Sequence, residues 1–413
     1  MLHLKKTAGL ALTVALLAGT SAMAQQRTLV FNTDTSDPAP RAAFDQLIAD
    51  FEAEYPDIDV VVNMFDHEGY KTAIRNFLTA DSPDLANWYA GNRMAPFVNA
   101  GQFMDVSDVW ADAGLNESLA SARASMTIDD KQWGVPYTYY QWGIYYNRDA
   151  YAAVGAEVPT TWDQFIANCA LFKAADIDCL TTGTSALWPG AGIFDYMNLR
   201  TNGYEFHMAL TAGEVEWTDE RVRNTFAEWA KLVEPGYLTA NHAAIDWQDA
   251  ATLLVQGKAA NYVMGNFAVA TFMDGGMTQE NLGFMPFPEI TPGVPRAEDA
   301  PTDTVHIPAG AQNVDDAKLF LAFLGRADVQ TKLNAALGQL PVNNQSEVGT
   351  DPYLTAGFDM LSNAYALAQF FDRDAPAEMA KIGMEGFQEF MVRPENLEDI
   401  LQRLEAARQR IYN

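Results

Sequence analysis

Polar and aromatic side chains follow three stretches of β-forming residues near the start of the chain. Their carboxylates, imidazole and guanidinium can donate or accept hydrogen bonds, and their indole and phenol can pack against an apolar ligand face. Side chains of these types point first to the binding of a small polar molecule. The residues are Asp34, Asp66, His67, Trp88, Tyr89 and Arg93.

The elements that carry these residues are three predicted strands, at residues 28–33, 58–64 and 84–89. Between the strands, apolar residues recur at helical spacing, which predicts a helix after each of the first two strands. Strand–helix alternation is typical of a parallel sheet, whose ligands bind beyond the carboxyl ends of its strands. We therefore expect the six residues to converge at one rim. Helix capping for Asp34 and a surface charge for Arg93 are the competing interpretations.

A second group of aromatic and polar residues lies in or beside predicted loops further along the chain. A sugar offers C–H patches that lie on aromatic rings and hydroxyls that bond to charged or amide groups. Core packing is the alternative for the rings, and helix capping is the alternative for Asn266. In the extended run 139–147, Tyr139 and Tyr140 face opposite sides, so only one of them should reach a ligand. The candidates are Tyr139, Trp142, Trp188, Trp247, Asn266, Phe267 and Asp303.

The first 24 residues have the pattern of a cleavable secretion leader. Lys5 and Lys6 precede the apolar stretch 10–17, and small residues at 22–24 form a cleavage site. The apolar stretch is shorter than the roughly 20 residues that a membrane-spanning helix needs. No cysteine stands at the cleavage point for lipid attachment. These features predict a protein that is free in a periplasm.

The composition is strongly acidic, with 54 acidic and 26 basic residues and a net charge of −28. This balance argues against nucleic acid and anionic membranes as partners, because both bind basic surfaces. It leaves neutral and cationic ligands open. A chain of 413 residues is too long for one core and predicts two large lobes.

The two cysteines and the absence of enzyme motifs further limit the reactions that the sequence could support. In an oxidising compartment, Cys169 and Cys179 could form a disulfide, and two buried thiols are the alternative. The chain has no Gly-x-x-x-x-Gly-Lys, Gly-x-Ser-x-Gly or His-Glu-x-x-His pattern. We predict no catalytic residue, no metal and no cofactor.

An ordered set of short motifs resembles one family across nearly the whole chain after the leader. The chain is similar to the maltose-binding-protein-like solute-binding proteins of ABC importers, also called extracellular solute-binding family 1. Two positions depart from many sugar-binding members, because Asn32-Thr33-Asp34 stands where an indole often follows the first strand and Phe267 replaces a tryptophan. The matching stretches are 29–31, 51–58, 82–85, 133–137, 145–148, 256–260, 265–266 and 317–324.

The resemblance implies an α/β fold of the type II periplasmic-binding-protein class, with two lobes, a hinge and a central cleft that closes on ligand. We expect an N-terminal lobe at residues 25–136 plus 282–337 and a C-terminal lobe at 137–281 plus 338–413. The implied function is capture of a mono- or oligosaccharide and its delivery to an ABC permease in the inner membrane. We expect a monomer that performs no chemistry on its ligand.

Two alternatives remain open at this point. The acidic balance and the missing indole would also suit a polyol or a cationic solute such as a polyamine in the same fold. A secreted glycoside hydrolase is a remote alternative, because it needs two carboxylates about 5–9.5 Å apart and the chain has many acids. Charge on the cleft wall and turnover of oligosaccharides separate these alternatives from sugar binding.

Overall fold

The computed structural model of the protein describes residues 27–412. The predicted leader, residues 1–24, lies outside the described residues. In this range no helix is long and apolar enough to cross a membrane. The strands are β1 Arg27–Thr33, β2 Ile58–Met64, β3 Leu85–Tyr89, β4 Thr127–Ile128, β5 Lys131–Gln132, β6 Val135–Tyr139, β7 Trp142–Asn147, β8 Asp178–Thr181, β9 Ala259–Gly265, β10 Leu282–Met285, β11 Glu298–Asp299, β12 Thr302–His306 and β13 Leu367–Ala368.

The helices pack around two main sheets and account for most of the chain between the strands. They are α1 Pro38–Glu54, α2 His67–Ala80, α3 Ala95–Asn99, α4 Ser107–Asp112, α5 Leu115–Ser118, α6 Ala120–Arg123, α7 Arg148–Val154, α8 Trp162–Ala174, α9 Trp188–Asn202, α10 Tyr204–Thr211, α11 Glu220–Val233, α12 Trp247–Val255, α13 Ala268–Asp274, α14 Val314–Leu324, α15 Ala327–Leu337, α16 Pro352–Ser362, α17 Phe371–Asp374, α18 Ala377–Val392 and α19 Leu397–Ile411.

The first lobe is built on a five-stranded sheet of order β2-β1-β3-β12-β6. Strands β1, β2 and β3 run parallel, whereas β12 is antiparallel to both β3 and β6. Helix α1 buries Phe44, Leu47 and Phe51 against this sheet, at the helical spacing that its sequence shows. The carboxyl ends of the three parallel strands therefore meet at one rim, as the alternation predicted.

The second lobe is built on a four-stranded sheet of order β10-β7-β9-β8. Strand β7 is antiparallel to β10 and β9, and β8 is parallel to β9. Helix α8 starts with a capping box, in which the side chains of Thr161 and Gln164 each accept from the other residue's backbone N–H. A disulfide joins Cys169 in α8 to Cys179 in β8. The two lobes have separate apolar cores.

The structure corrects two of the boundaries that we predicted between the lobes. Strand β10 pairs with β7, Phe287 lies in the core of the second lobe and the carbonyl of Glu289 accepts from the Trp162 amide, so the chain returns to the first lobe only at β12 and not at residue 282. Residues after Leu337 stay on the first lobe for several positions, since Val342 lies in its core and Leu340 bonds to Tyr139. Both boundaries depend on backbone pairing and packing between distant segments, which the local sequence does not indicate. The rest of the division remains a proposal.

The aromatic run 139–147 leads from the first lobe to the second. Tyr139 ends β6 in the first sheet, where it pairs with Thr302. Trp142 starts β7 in the second sheet, where it pairs with Gly265. Tyr140 and Gln141 therefore form a crossing between the lobes, and Tyr140 and Trp142 line the cleft.

Candidate functional site

A cavity of about 160 Å³ lies between the two lobes and collects nine of the thirteen candidate residues. A volume of this size holds on the order of ten water molecules, which is the scale of a small polar solute. The first lobe contributes Asp34, His67, Trp88, Tyr89 and Asp303. The second lobe contributes Trp142, Trp188, Trp247 and Phe267.

Asp34 is the centre of the first charged group and follows β1 directly. Its carboxylate accepts hydrogen bonds from His67 Nδ1 at 2.9 Å, Asn87 Nδ2 at 3.3 Å and the Tyr89 hydroxyl at 3.3 Å. Burial raises the pKa of Asp34. The hydrogen bonds from His67 and Asn87 and the charge of Lys71 lower it by more, so the pKa of this carboxyl lies below its usual value. Asp34 is therefore a fixed, ionised acceptor at the rim of the first lobe.

Arg373 and Asp303 form the second charged group. Arg373 belongs to α17 of the second lobe and donates to the Asp303 carboxylate at 2.9 Å, the Thr302 carbonyl at 2.9 Å and the Tyr140 hydroxyl at 3.1 Å. Its guanidinium lies 4.3 Å from the centre of the Tyr89 ring. Burial raises the pKa of Asp303, and the charge of Arg373 offsets only part of that rise. The pair therefore presents a donor and an acceptor side by side.

Aromatic rings of the second lobe form the wall opposite these charged groups. Phe267 lies 5.4 Å from Trp247, 6.1 Å from Trp188 and 6.2 Å from Trp142, measured between ring centres. Phe370 packs on Trp142 at 4.8 Å. Such a cluster offers a broad apolar surface with polar edges. We call these five rings the aromatic wall.

The indole of Trp142 has a further feature that bears on ligand binding. Its ring is 2% exposed, and its Nε1 donor has no hydrogen-bond partner among the described residues. A buried donor without a partner costs free energy. Because Nε1 is enclosed by the protein, Trp142 contributes to the cavity through its ring and not through this donor.

Hydrogen bonds cross between the lobes beside the cavity, and one of them runs from Asn266 Nδ2 to the carbonyl of Gly338. Trp188 Nε1 of the second lobe donates to Glu68 Oε1 of the first at 3.2 Å. Asn92 Nδ2 of the first lobe donates to the carbonyl of Asp374 in the second at 2.7 Å. Together with the contacts of Arg373, these bonds hold the two lobes in a closed arrangement.

Four of the candidate residues do not line the cavity. Asp66 caps α2 through Gly69 N at 2.9 Å, and Asn266 accepts from the Tyr145 hydroxyl at 2.8 Å. The carbonyl of Arg93 accepts from Trp88 Nε1 at 2.9 Å, so this residue holds the Trp88 ring of the first lobe. Tyr139 faces away from the cavity, whereas Tyr140 lines it. Successive side chains of an extended chain alternate, so Tyr140 lines the cavity and the candidate Tyr139 does not.

Several lining residues were not among the candidates. Lys71 lies one helical turn after His67, and Asn87 lies two residues before Tyr89 on the same strand, so spacing could have found both. No local pattern marks the lining residues from the end of the chain, because tertiary packing alone brings them to the cleft. These residues are Gln339, Phe370, Asp372 and Arg373.

The described residues contain no group of three or more histidine, cysteine, aspartate or glutamate side chains that could hold a metal ion. Asp34 and Asp303 are instead each bonded to a basic side chain of the cavity. The arrangement can bind a polar solute through hydrogen bonds and ring contacts.

Comparison with known proteins places the chain in a family. The model of the bacterial extracellular solute-binding proteins matches residues 35–331, well over half of the chain. An uncharacterised extracellular-binding protein of an ABC transporter from Pyrococcus horikoshii is 26% identical over 76% of this chain and 70% of its own. The multiple sugar-binding protein of Streptococcus mutans is 23% identical over 70% of each chain.

Solved structures of solute receptors share the fold. The bacterial solute receptor AcbH, described as having an exclusive preference for β-D-galactopyranose, is 28% identical and superposes with a TM-score of 0.88 over 94% of this chain and 100% of its own. A chitin oligosaccharide binding protein, 19% identical, superposes with a TM-score of 0.86 over 94% of this chain and 99% of its own. The predicted two-lobed fold is confirmed, and the chain belongs to the bacterial extracellular solute-binding proteins.

Proposed function

We propose that this protein captures a carbohydrate in the cleft and delivers it to an ABC permease in the inner membrane. The observation that carries the proposal is the aromatic wall of one lobe facing the charged groups of Asp34 and Asp303 on the other. The wall suits the C–H face of a sugar ring, and the charged groups suit its hydroxyl rim. The sugar-binding names of several relatives support the same ligand class.

The pairing of two cleft carboxylates supports a neutral ligand over a polyamine. Asp34 already faces His67 and Lys71, and Asp303 is already paired with Arg373. A polyamine would have to compete with these cations for both carboxylates, and only the other two lining carboxylates, Asp37 and Asp372, would remain for it. A sugar hydroxyl can instead accept from a cation and donate to the adjacent carboxylate.

Closure is the event that the permease would recognise. A ligand that contacts both lobes favours the closed state over the open one. Inverting a 99:1 preference for the open state takes about 5.5 kcal/mol of differential binding. Charged hydrogen bonds at roughly 1.5–3 kcal/mol each, together with ring contacts, can supply that amount.

The proposal includes the cellular setting. The leader pattern and the absence of a cysteine at its cleavage point support a protein that is free in the periplasm. The acidic charge supports a solute as ligand in place of nucleic acid. We propose a monomer that binds its solute without converting it.

A thermal-shift screen over sugars, polyols and polyamines tests the ligand class. A ligand at about 100 times its dissociation constant should stabilise the protein by roughly 2.7 kcal/mol. We expect a sugar to raise the melting temperature and polyamines to leave it unchanged. Stabilisation by polyamines alone would overturn the proposal, and so would turnover of oligosaccharides detected by thin-layer chromatography.

A matched pair of tryptophan variants ties the response to the cleft. Trp247 is half-buried in the aromatic wall, whereas Trp133 is half-buried in the first lobe, where its Nε1 donates to Ile128. Trp247→Ala should abolish most of the sugar-induced shift, and Trp133→Ala should retain it. Equal responses of the two variants would place the sugar outside this cleft.

A further inference from the structure

The two charged groups of the cleft contact different parts of one tyrosine side chain. The hydroxyl of Tyr89 donates to Asp34, whereas the ring of the same residue lies under the guanidinium of Arg373, which binds Asp303. The two charged groups are therefore separated by about the length of one tyrosine side chain. Hydroxyls on opposite edges of a single pyranose ring can bridge such a separation.

The aromatic wall is a compact cluster and not a row of separate platforms. Phe267 lies within 6.2 Å of Trp142, Trp188 and Trp247, measured between ring centres. Trp142 and Trp188 also contact each other at 6.0 Å with perpendicular planes. An oligosaccharide needs successive stacking surfaces along its length. This cluster offers one surface of about the size of one sugar ring.

One edge of the cavity is bounded by a contact between the lobes. Trp188 lines the cavity, and its Nε1 donates to Glu68 at 3.2 Å. The ammonium of Lys71 lies 5.9 Å from the Trp188 ring centre and 3.3 Å from Glu68. A second sugar ring that extended past Trp188 would have to displace this contact.

From these three observations we infer that the site takes a monosaccharide and discriminates against oligosaccharides, with Glu68 acting through Trp188 as a specificity-determining residue. The inference rests on the proposed carbohydrate function and narrows it. The sugar lies flat on the aromatic wall. Its hydroxyls bridge the groups of Asp34 and Asp303, and the closed lobes leave no place for a second ring beside Trp188.

Isothermal titration calorimetry with matched sugars tests the size limit. The full mature protein is titrated with D-galactose, D-glucose and D-xylose and with lactose, maltose and xylobiose. We expect a monosaccharide to bind at micromolar concentration and every disaccharide to bind at least tenfold more weakly. A disaccharide that binds within tenfold of the best monosaccharide, or more tightly, overturns the inference and leaves the carbohydrate function standing. Binding of no sugar of either size overturns both.

Two substitutions at one position test the role of Glu68. Glu68→Ala removes the acceptor for Trp188 Nε1, so the discrimination against disaccharides should fall at least tenfold. Glu68→Gln keeps an acceptor oxygen of the same reach and should retain the discrimination. Asp59→Asn, which removes an exposed acid of β2, controls for the loss of charge. Unchanged discrimination in Glu68→Ala, with the fold intact by circular dichroism, would refute the role of this contact.

Discussion

Arg373 connects the two lobes through its side chain, and the hydrogen bonds that it donates depend on the planar shape of the guanidinium group. The residue is 6% exposed and donates at once to Asp303, Thr302 and Tyr140. A lysine would keep the charge but could not reproduce three donors in one plane. Loss of one charged hydrogen bond typically costs about 1.5–3 kcal/mol. The affinity for the solute therefore depends on the shape of this group as well as its charge.

We expect Arg373→Lys to weaken sugar binding by about tenfold or more, as measured by calorimetry, since a 1.4 kcal/mol change is tenfold in affinity. The matched control is Arg326→Lys, because Arg326 pairs with Glu54 and Asp328 on the surface of the first lobe. An exposed pair contributes at most about 1 kcal/mol to stability and nothing to the cleft. Equal affinities of the two variants would show that the fork of Arg373 is dispensable.

Asp374, the neighbour of Arg373, should make stability depend on pH. Burial raises its pKa to about 6, above the ordinary 3.8, against the opposing hydrogen bonds from the Gln369 and Phe370 amides. A raised carboxyl pKa means that the folded state holds the proton more tightly than the unfolded state does. The group therefore costs nothing below about pH 4, and its cost grows as the pH rises towards 6 and is constant above that.

We expect Asp374→Asn to gain stability relative to the wild type as the pH rises from 4 to 6. Because Asp374 is partly exposed, the gain should be about 1–2 kcal/mol, less than the full shift would imply. Urea unfolding of both proteins at pH 4, 5, 6 and 7 measures it. Asp359→Asn, at an exposed position of α16, should show a difference that is independent of pH. A pH-independent difference for Asp374→Asn would contradict the assignment.

Side chains at strand ends could be predicted to lie near the cleft, because the carboxyl ends of parallel strands meet at one edge of the sheet. For Asp34, His67 and Tyr89, the strand–helix alternation of the sequence was enough to predict this position. The choice between Tyr139 and Tyr140 required the exact register of β6, which the sequence leaves ambiguous by one residue. Arg373 could not be predicted, because more than 60 residues of chain separate it from Asp303 and only packing brings the two together.

At the scale of elements, the position of Trp142 depends on how closely α9 approaches β7. A Cβ on Gly192 would lie 2.4 Å from Trp142 Cζ3, so only glycine allows the present approach. A Cβ on Gly190, in the same helix, would lie 3.6 Å from its nearest neighbour, the sulfur of Met391. The two glycines therefore form a matched pair in which one supports the aromatic wall and the other does not.

We expect Gly192→Ala to push the Trp142 ring towards the cavity and to weaken sugar binding at least tenfold, with a loss of about 1–3 kcal/mol in stability from overpacking. Gly190→Ala should bind sugar like the wild type, because its added methyl meets only ordinary contacts. Calorimetry and urea unfolding measure the two quantities. Normal affinity in Gly192→Ala would show that Trp142 does not contribute to the binding surface.

Local sequence patterns predicted the bounds of the first strands to within a residue. The prediction for β2, residues 58–64, matches Ile58–Met64, and the prediction for β3, residues 84–89, is one residue longer than Leu85–Tyr89. The residue at which the chain leaves the first sheet is not marked, because no proline or glycine stands between Tyr139 and Trp142. Non-local pairing with β12 on one side and β9 on the other decides where the first sheet ends.

At the scale of the whole molecule, the ordered motifs of the sequence predicted two lobes and a cleft. The closed arrangement of the lobes depends instead on contacts between residues that are far apart in sequence. One such contact is separate from the cavity, because Asn92 does not line it and yet donates to the carbonyl of Asp374 across the lobes. Its removal leaves the binding surface intact and destabilises only the closed state. Closure and ligand contact can therefore be varied independently in this protein.

We expect Asn92→Ala to lower sugar affinity by a factor that corresponds to one hydrogen bond, about 0.5–1.5 kcal/mol. The loss should appear in the dissociation rate, because the open form that meets the ligand is unchanged and only the closed complex is weakened. Stopped-flow tryptophan fluorescence measures both rates, and small-angle scattering should show a higher ligand concentration needed for compaction.

Asn76→Ala, at an exposed position of α2 on the same lobe, should leave rates and scattering as they are in the wild type. A slower association in Asn92→Ala, with an unchanged dissociation rate, would place this bond in the open form. Unchanged affinity would show that the bond between Asn92 and Asp374 does not hold the lobes closed. Closure would then depend on the other contacts between the lobes, among them those of Arg373 and Trp188 at the cavity and the bond from Asn266 to the carbonyl of Gly338.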